Sequence, residues 1–257
     1  MATIVSVHSF RGGTGKTNTT ANLAALIARD GRRVAVIDGD IQSPGIHVLF
    51  GLNGDDVTAS LNDFLWHGRD LADVVKDVTD MQGVPLAGRL YLIPSSMKPG
   101  EIARVLREGY DAKRLTAGLR RLVNELRLDF LFIDTHPGLN EETLLSLVIS
   151  HSLLIIMRPD KQDYEGTAIT ARVARELEVP HILLVVNKTP ENLNAATVAA
   201  RVESAYGYPV AGVLPHSDEL MSLASEGVFA LRYPDHPLSE SYRRIATKLL
   251  ATAGDGA

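Results

Sequence analysis

The chain contains no cysteine among its 257 residues. That absence excludes disulfides, zinc–thiolate centres and protein-ligated iron–sulfur clusters, and it fits a reducing cytosol. A long apolar run is missing too: no stretch reaches the ~20 residues that a membrane-crossing helix needs. The start, Met1 to Ser9, reads as a strand running directly into a glycine-rich motif rather than as a secretory leader. Excess positive charge is also lacking. With a formal net charge of −5, any contact with nucleic acid must use a local basic patch. No Gly/Ser linker, internal repeat or low-complexity tract divides the chain. At 45% hydrophobic and 22% charged residues it can bury a sizeable core, and one domain over residues 1–257 is expected.

What is present is a β-branched, apolar run recurring along the chain: Thr3–Val7, Arg33–Asp38, Leu90–Ile93, Phe130–Asp134, Leu153–Met157, Ile182–Asn187 and Val210–Leu214. Several of these are apolar on both faces, as buried parallel strands are, and helical patterns lie between most of them. Leu115, Leu119, Leu122 and Leu126 step by four, three and four, marking one face of an amphipathic helix. The segment from about Asn53 to Arg89 is the least regular and reads as short helices and loops over one sheet end. The pattern predicts an α/β fold with a doubly wound, mostly parallel sheet and helices on both faces.

One stretch carries the chemistry. "HSFRGGTGKTNTTANLA", residues 8 to 24, lies between the strand "TIVSV" and an Ala-rich helical pattern. A glycine loop at a strand-to-helix turn lets backbone N–H groups close around phosphate oxygens, and the helix contributes its positive end. Gly12, Gly13, Thr14, Gly15 and Asn18 would line that cradle. Lys16 would reach the β- and γ-phosphates, and the Thr17 hydroxyl would bind Mg²⁺. The usual G-x-x-x-x-G-K-[ST] pattern wants glycine at position 10, where this chain has Phe10.

"RGGTGKT" instead resembles the deviant phosphate loop K-G-G-x-G-K-[ST] of the MinD/ParA family of P-loop ATPases. In that family the leading lysine reaches the partner's ATP across a dimer interface. Here that position holds Arg11, which keeps the charge and adds a planar fork of donors. The alternative is an Arg11 that is only a solvated loop charge in its own chain; should a different basic residue cross the interface, Lys161 is the next candidate. In "VAVIDGDIQSPG" the resemblance implies that Asp38 joins the magnesium shell and that Asp40 orients the attacking water; a helix-capping role is the alternative for Asp40. "LDFLFIDTHPGL" resembles a Walker B strand and second switch, with Asp134 on Mg²⁺ through water and the Gly138 amide sensing the γ-phosphate. His136 stands where the family more often has a small residue or proline, and a tolerated loop residue is the plainer reading than a catalytic one.

"LLVVNKTPEN" places Asn187 where the family reads the adenine edge. A guanine-reading N-K-x-D would need aspartate where the chain has Pro190, so ATP is expected over GTP. "GVLPHSDELMSLASEG" resembles the adenine-side loop and assigns Pro215 to the base. The resemblance, from Ile4 to about Leu250, implies a slow Mg-ATP-dependent ATPase that dimerises on ATP and positions an intracellular cargo. It further implies a hydrolysis-stimulating adaptor protein and a cytoplasmic, nucleoid-associated location. Tyr242, Ile245, Ala246, Leu249 and Leu250 form a helical stripe, read as a core-packing helix rather than a membrane anchor. By elimination the surface is nucleoid DNA, through Arg201, Arg232, Arg243, Arg244 and Lys248. An ATP-dependent ligase of the dethiobiotin synthetase type is the alternative, although no acceptor pocket is legible. Metallochaperones and reductase iron proteins of the same superfamily use cysteines that this chain lacks.

Overall fold

The computed structural model describes residues 2–254. Its eight strands are β1 (Thr3–His8), β2 (Arg33–Gly39), β3 (Lys76–Asp77), β4 (Arg89–Ile93), β5 (Phe130–Thr135), β6 (Ser152–Met157), β7 (His181–Thr189) and β8 (Val210–Pro215). They make one sheet in the order β3-β4-β2-β5-β1-β6-β7-β8. Pairing is parallel throughout except where β3 runs antiparallel to β4, Lys76 opposite Leu92 and Asp77 opposite Tyr91. All seven strands expected from the sequence are present. The two-residue β3 is the addition, too short to show any alternation.

This is the doubly wound α/β fold. β1 lies between β5 and β6, so the chain leaves it towards β2 on one side and later returns to build outward on the other. That reversal of winding opens a crevice at the carboxyl end of β1. Because the strands are parallel, the ends of β2 and β5 reach the same edge, with Asp38 directly beside Asp134 in register. The ends of β7 and β8 arrive there from the other side.

The helix Lys16–Arg29 is buried over most of its length, from Thr19 to Ala28. Its small alanines allow close packing against both the sheet and the Pro237–Gly254 helix. Tyr242, Ile245, Ala246 and Leu249 face that same core. The terminal stripe is thus already covered by protein and is not a free apolar face. Close approach is possible because β8 carries Gly212: a Cβ there would come within 2.6 Å of Ile245 Cγ1. On the opposite face of the sheet, the helix Ala112–Glu125 buries Leu119 and Leu122, with Leu115 and Leu126 at the margin of the same cluster. The irregular segment resolves into two short helices, Leu61–Trp66 and Leu71–Val74, two 3₁₀ turns and β3.

Candidate functional site

The loop from Ser9 to Gly15 joins β1 to the Lys16–Arg29 helix. Gly13 and Gly15 both have left-handed φ, +76° and +90°. At Gly15 a side chain is excluded twice, by that φ and by contact of any Cβ with Asn187 Nδ2. Gly15 is also the helix N-cap, so it offers no side-chain acceptor, and the first turn holds no acidic residue. The amides of this helix end are left for an outside acceptor, which is the electrostatic condition for binding an anion. Thr14 Oγ1 is buried and has no partner among the described residues.

Facing the loop are three carboxylates and one ammonium. Lys16 Nζ lies 3.2 Å from Asp134 Oδ1 and 3.9 Å from Asp40 Oδ2. Thr20, one helical turn beyond Lys16, also donates to Asp134 Oδ1 at 3.1 Å. Asp38 Oδ2 accepts from the Gly45 amide at 3.1 Å, while its Oδ1 is buried without a partner among the described residues. Burial, reinforced by the neighbouring Asp134 and Asp40 charges, pushes the Asp38 carboxyl well above the usual carboxylate range. Burial raises Asp40 too, against the opposing pull of Lys16. One ammonium does not balance three carboxylates, so the cluster has unmet demand for positive charge. Thr17 stands half-buried at the start of the helix, as does Asn18.

Two assignments change. The Gly138 amide donates to the Ser9 carbonyl at 3.0 Å; it ties the loop after β5 to the glycine loop and is not directed at a ligand, as the sensing role requires. Asn187 is 5% exposed, and its Nδ2 donates to the Thr14 carbonyl at 2.8 Å. Its Oδ1 accepts from the Lys188 amide at 2.8 Å. In this structure Asn187 braces the glycine loop from behind rather than presenting its amide to a base edge. Pro215 closes β8 opposite Thr189. His136 turns its Nδ1 onto the Pro137 carbonyl at 2.6 Å, which leaves Nε2 4.0 Å from Asp40 Oδ1.

Arg11 is half-buried and ion-paired rather than free. Its Nε donates to Asp163 Oδ1 at 2.6 Å, and its Nη2 grips both oxygens of Asp160 at 2.8 and 2.9 Å. Gln162 accepts from Nη1. The carboxylates come from the start of the helix Lys161–Glu176, where Asp160 is the N-cap. Lys161 itself is exposed.

The five residues read as a basic patch are spoken for individually. Arg201 lies over the Tyr164 ring, Arg232 donates to the Glu226 carbonyl, and Lys248 donates to the Val210 carbonyl. Arg243 and Arg244 both pair with Glu240. They sit on three different helices, with Arg243, Arg244 and Lys248 together on Pro237–Gly254.

Sequence reasoning missed His8, Thr20, Lys188 and the Asp160–Asp163 pair. Thr20 was findable, since i+4 spacing places it above Lys16 on one helix face. The acidic pair was not, because it lies about 150 residues from Arg11 in the chain.

Comparison with known proteins agrees with this geometry. The family model described as "CobQ/CobB/MinD/ParA nucleotide binding domain" matches residues 5–230. An uncharacterized ATP-binding protein of Methanocaldococcus jannaschii is 28% identical, covering 97% of this chain and 88% of its own. An iron–sulfur cluster carrier protein of Pyrococcus horikoshii is 23% identical over 96% of this chain and 85% of its own. Among solved structures, the septum site-determining protein MinD of Pyrococcus horikoshii, complexed with Mg-ADP, superposes with a TM-score of 0.79 at 20% identity, covering 100% of this chain and 99% of that one. By its loop, its carboxylate cluster and this family match, the chain belongs to the MinD/ParA family of P-loop ATPases.

Proposed function

We propose that this protein is a Mg-ATP-dependent dimerising ATPase switch that positions an intracellular cargo, with hydrolysis stimulated by a partner protein. The observation that carries the reading is the convergence of Lys16, Asp38, Asp40 and Asp134 at the mouth of the glycine loop, with a buried Asp38 oxygen that has no partner among the described residues. Such a cluster fits a divalent cation electrostatically. Among the described residues no three His, Asp or Glu side chains form a metal cage. Thr17, Asp38 and Asp134 would hold a Mg²⁺ here, directly or through water and together with phosphate oxygens, the usual habit of this ion. When bound, it would neutralise charge on the transferring phosphate.

The chain's own residues do the rest. Amides from Gly12 to Asn18 hold the phosphates, Lys16 swings from Asp134 to the β- and γ-phosphates, and Asp40 orients the attacking water. Pro215 borders the base. Arg11 exchanges Asp160 and Asp163 for the partner's phosphates when two nucleotide-bound copies meet. The iron–sulfur carrier function of several relatives lacks support here, since the chain has no thiolate to hold a cluster.

Isothermal titration with ATP and GTP, with and without Mg²⁺, tests the site. Light scattering with a non-hydrolysable ATP analogue then tests the switch. Wild type is expected to bind Mg-ATP preferentially and to dimerise on the analogue, and Arg11→Ala to bind but stay monomeric. No nucleotide binding by wild type would overturn the phosphate-loop reading. A dimerising Arg11→Ala would shift the crossing role to another cation, Lys161 first.

A further inference from the structure

Lys188 departs from its surroundings in two ways. It is a non-glycine residue with φ +55°, a left-handed conformation that costs a side-chain-bearing residue about 1–2 kcal/mol and persists where the surroundings enforce it. It also lies at an irregularity: the β7–β8 register shifts between Val186 and Thr189. In a regular strand Asn187 and Lys188 would point to opposite faces. The bulge breaks that alternation, and both side chains reach the same loop. Asn187 Nδ2 takes the Thr14 carbonyl at 2.8 Å, and Lys188 Nζ takes the Gly13 carbonyl at 2.9 Å.

Those two carbonyls belong to consecutive peptide groups. A trans peptide is planar, with its C=O and N–H pointing in opposite directions. Holding the Gly13 carbonyl outward therefore aims the Thr14 N–H inward, and holding the Thr14 carbonyl outward does the same for the Gly15 N–H. Neither amide donates to a backbone acceptor among the described residues. They are the donors that a polyphosphate would meet.

We infer that Lys188 is a positioning residue for polyphosphate binding, which clamps the Gly13–Thr14 peptide so that its amide faces the phosphates. This rests on the phosphate-loop reading above. The strained backbone at Lys188 is what brings the ammonium to the loop, so the strain and the clamp are one device.

The test compares Lys188→Met, Lys188→Arg and Lys188→Gly by titration with ATP, ADP and inorganic triphosphate. Lys188→Met keeps the stem and loses the donor; it is expected to bind all three about tenfold more weakly, as the loss of one charge-assisted hydrogen bond implies. Lys188→Arg should recover most of that loss. Lys188→Gly relieves the left-handed strain, so it should raise the melting temperature of the nucleotide-free protein while still binding weakly. A residue that only shaped the β7 turn would give a glycine variant with intact affinity, and that result overturns the inference. So does a loss confined to ATP and ADP with triphosphate unchanged, which would place Lys188 on the nucleoside. If wild type takes up none of the three ligands, the phosphate-loop reading itself fails; if wild type binds and Lys188→Met matches it, only this inference does.

Discussion

Asn187→Ala separates bracing the loop from reading the base, because only bracing affects the protein without nucleotide. The substitution removes two hydrogen bonds of unequal value. The Lys188 amide loses its acceptor, but Lys188 is exposed and water replaces the bond at little cost. The Thr14 carbonyl loses its donor at a residue only 1% exposed. An unsatisfied buried carbonyl costs about 1–3 kcal/mol, and the lost packing of a small buried side chain adds about 1 kcal/mol. The sum is roughly 2–4 kcal/mol, which for a chain of this size lowers the melting temperature by roughly 5–15 °C. Urea denaturation of the nucleotide-free protein, followed by circular dichroism, reads it directly. Asn187→Asp is the size-matched control: it still accepts from Lys188 but offers Thr14 no donor, so it should lose at least as much as alanine. A midpoint for Asn187→Ala equal to wild type would refute the reasoning. The carbonyl would then not depend on Asn187, and the side chain would be free for an adenine edge.

The remaining predictions concern a histidine and an aspartate. Thr135 Oγ1 donates to the Val7 carbonyl, so the His8 Nδ1 that contacts it at 2.8 Å carries the proton of that bond. Burial first, then the Lys16 and His136 charges, lower the His8 pKa from 6.5 to about 3. The unfolded chain therefore binds a proton that the folded chain refuses, so stability is full above about pH 6.5 and is lost on acidification towards 3, by about 2 kcal/mol between pH 7 and pH 5. Urea midpoints at those two pH values should differ more for wild type than for His8→Asn, and equal differences would count against the assignment. Asp40→Ala should retain Mg-ATP while phosphate release falls about 10²–10⁴-fold, accumulating the ATP-bound dimer in light scattering. Wild-type turnover in that variant would move water positioning to another group, with His136 next to be examined.

Local patterns sufficed for much of this protein. Buried parallel strands announce themselves as short runs apolar on both faces, so seven strands and the doubly wound fold were legible. The glycine loop was legible because strand, glycines and helix are contiguous, and contiguity also gave Lys16, Thr17 and the strand-end aspartates Asp38 and Asp134. The Leu115–Leu126 face and the terminal stripe from Tyr242 to Leu250 followed from helical periodicity, with Leu115, Leu126 and Leu250 only partly buried. What the sequence left open were the partners of polar groups far apart in the chain. Arg11 reads as a free cation until the sheet order brings Asp160 and Asp163 beside it. Asn187 reads as a strand-end turn or a base contact until parallel packing puts it behind Gly15. The Gly138 amide looks available until the Ser9 carbonyl takes it. Lys188 carries no pattern at all, since a left-handed residue at a bulge has no signature in one sequence. Secondary structure is written in neighbours along the chain, whereas hydrogen bonds and ion pairs are directional and short-ranged, and only the folded backbone decides which atoms come within 3 Å of each other.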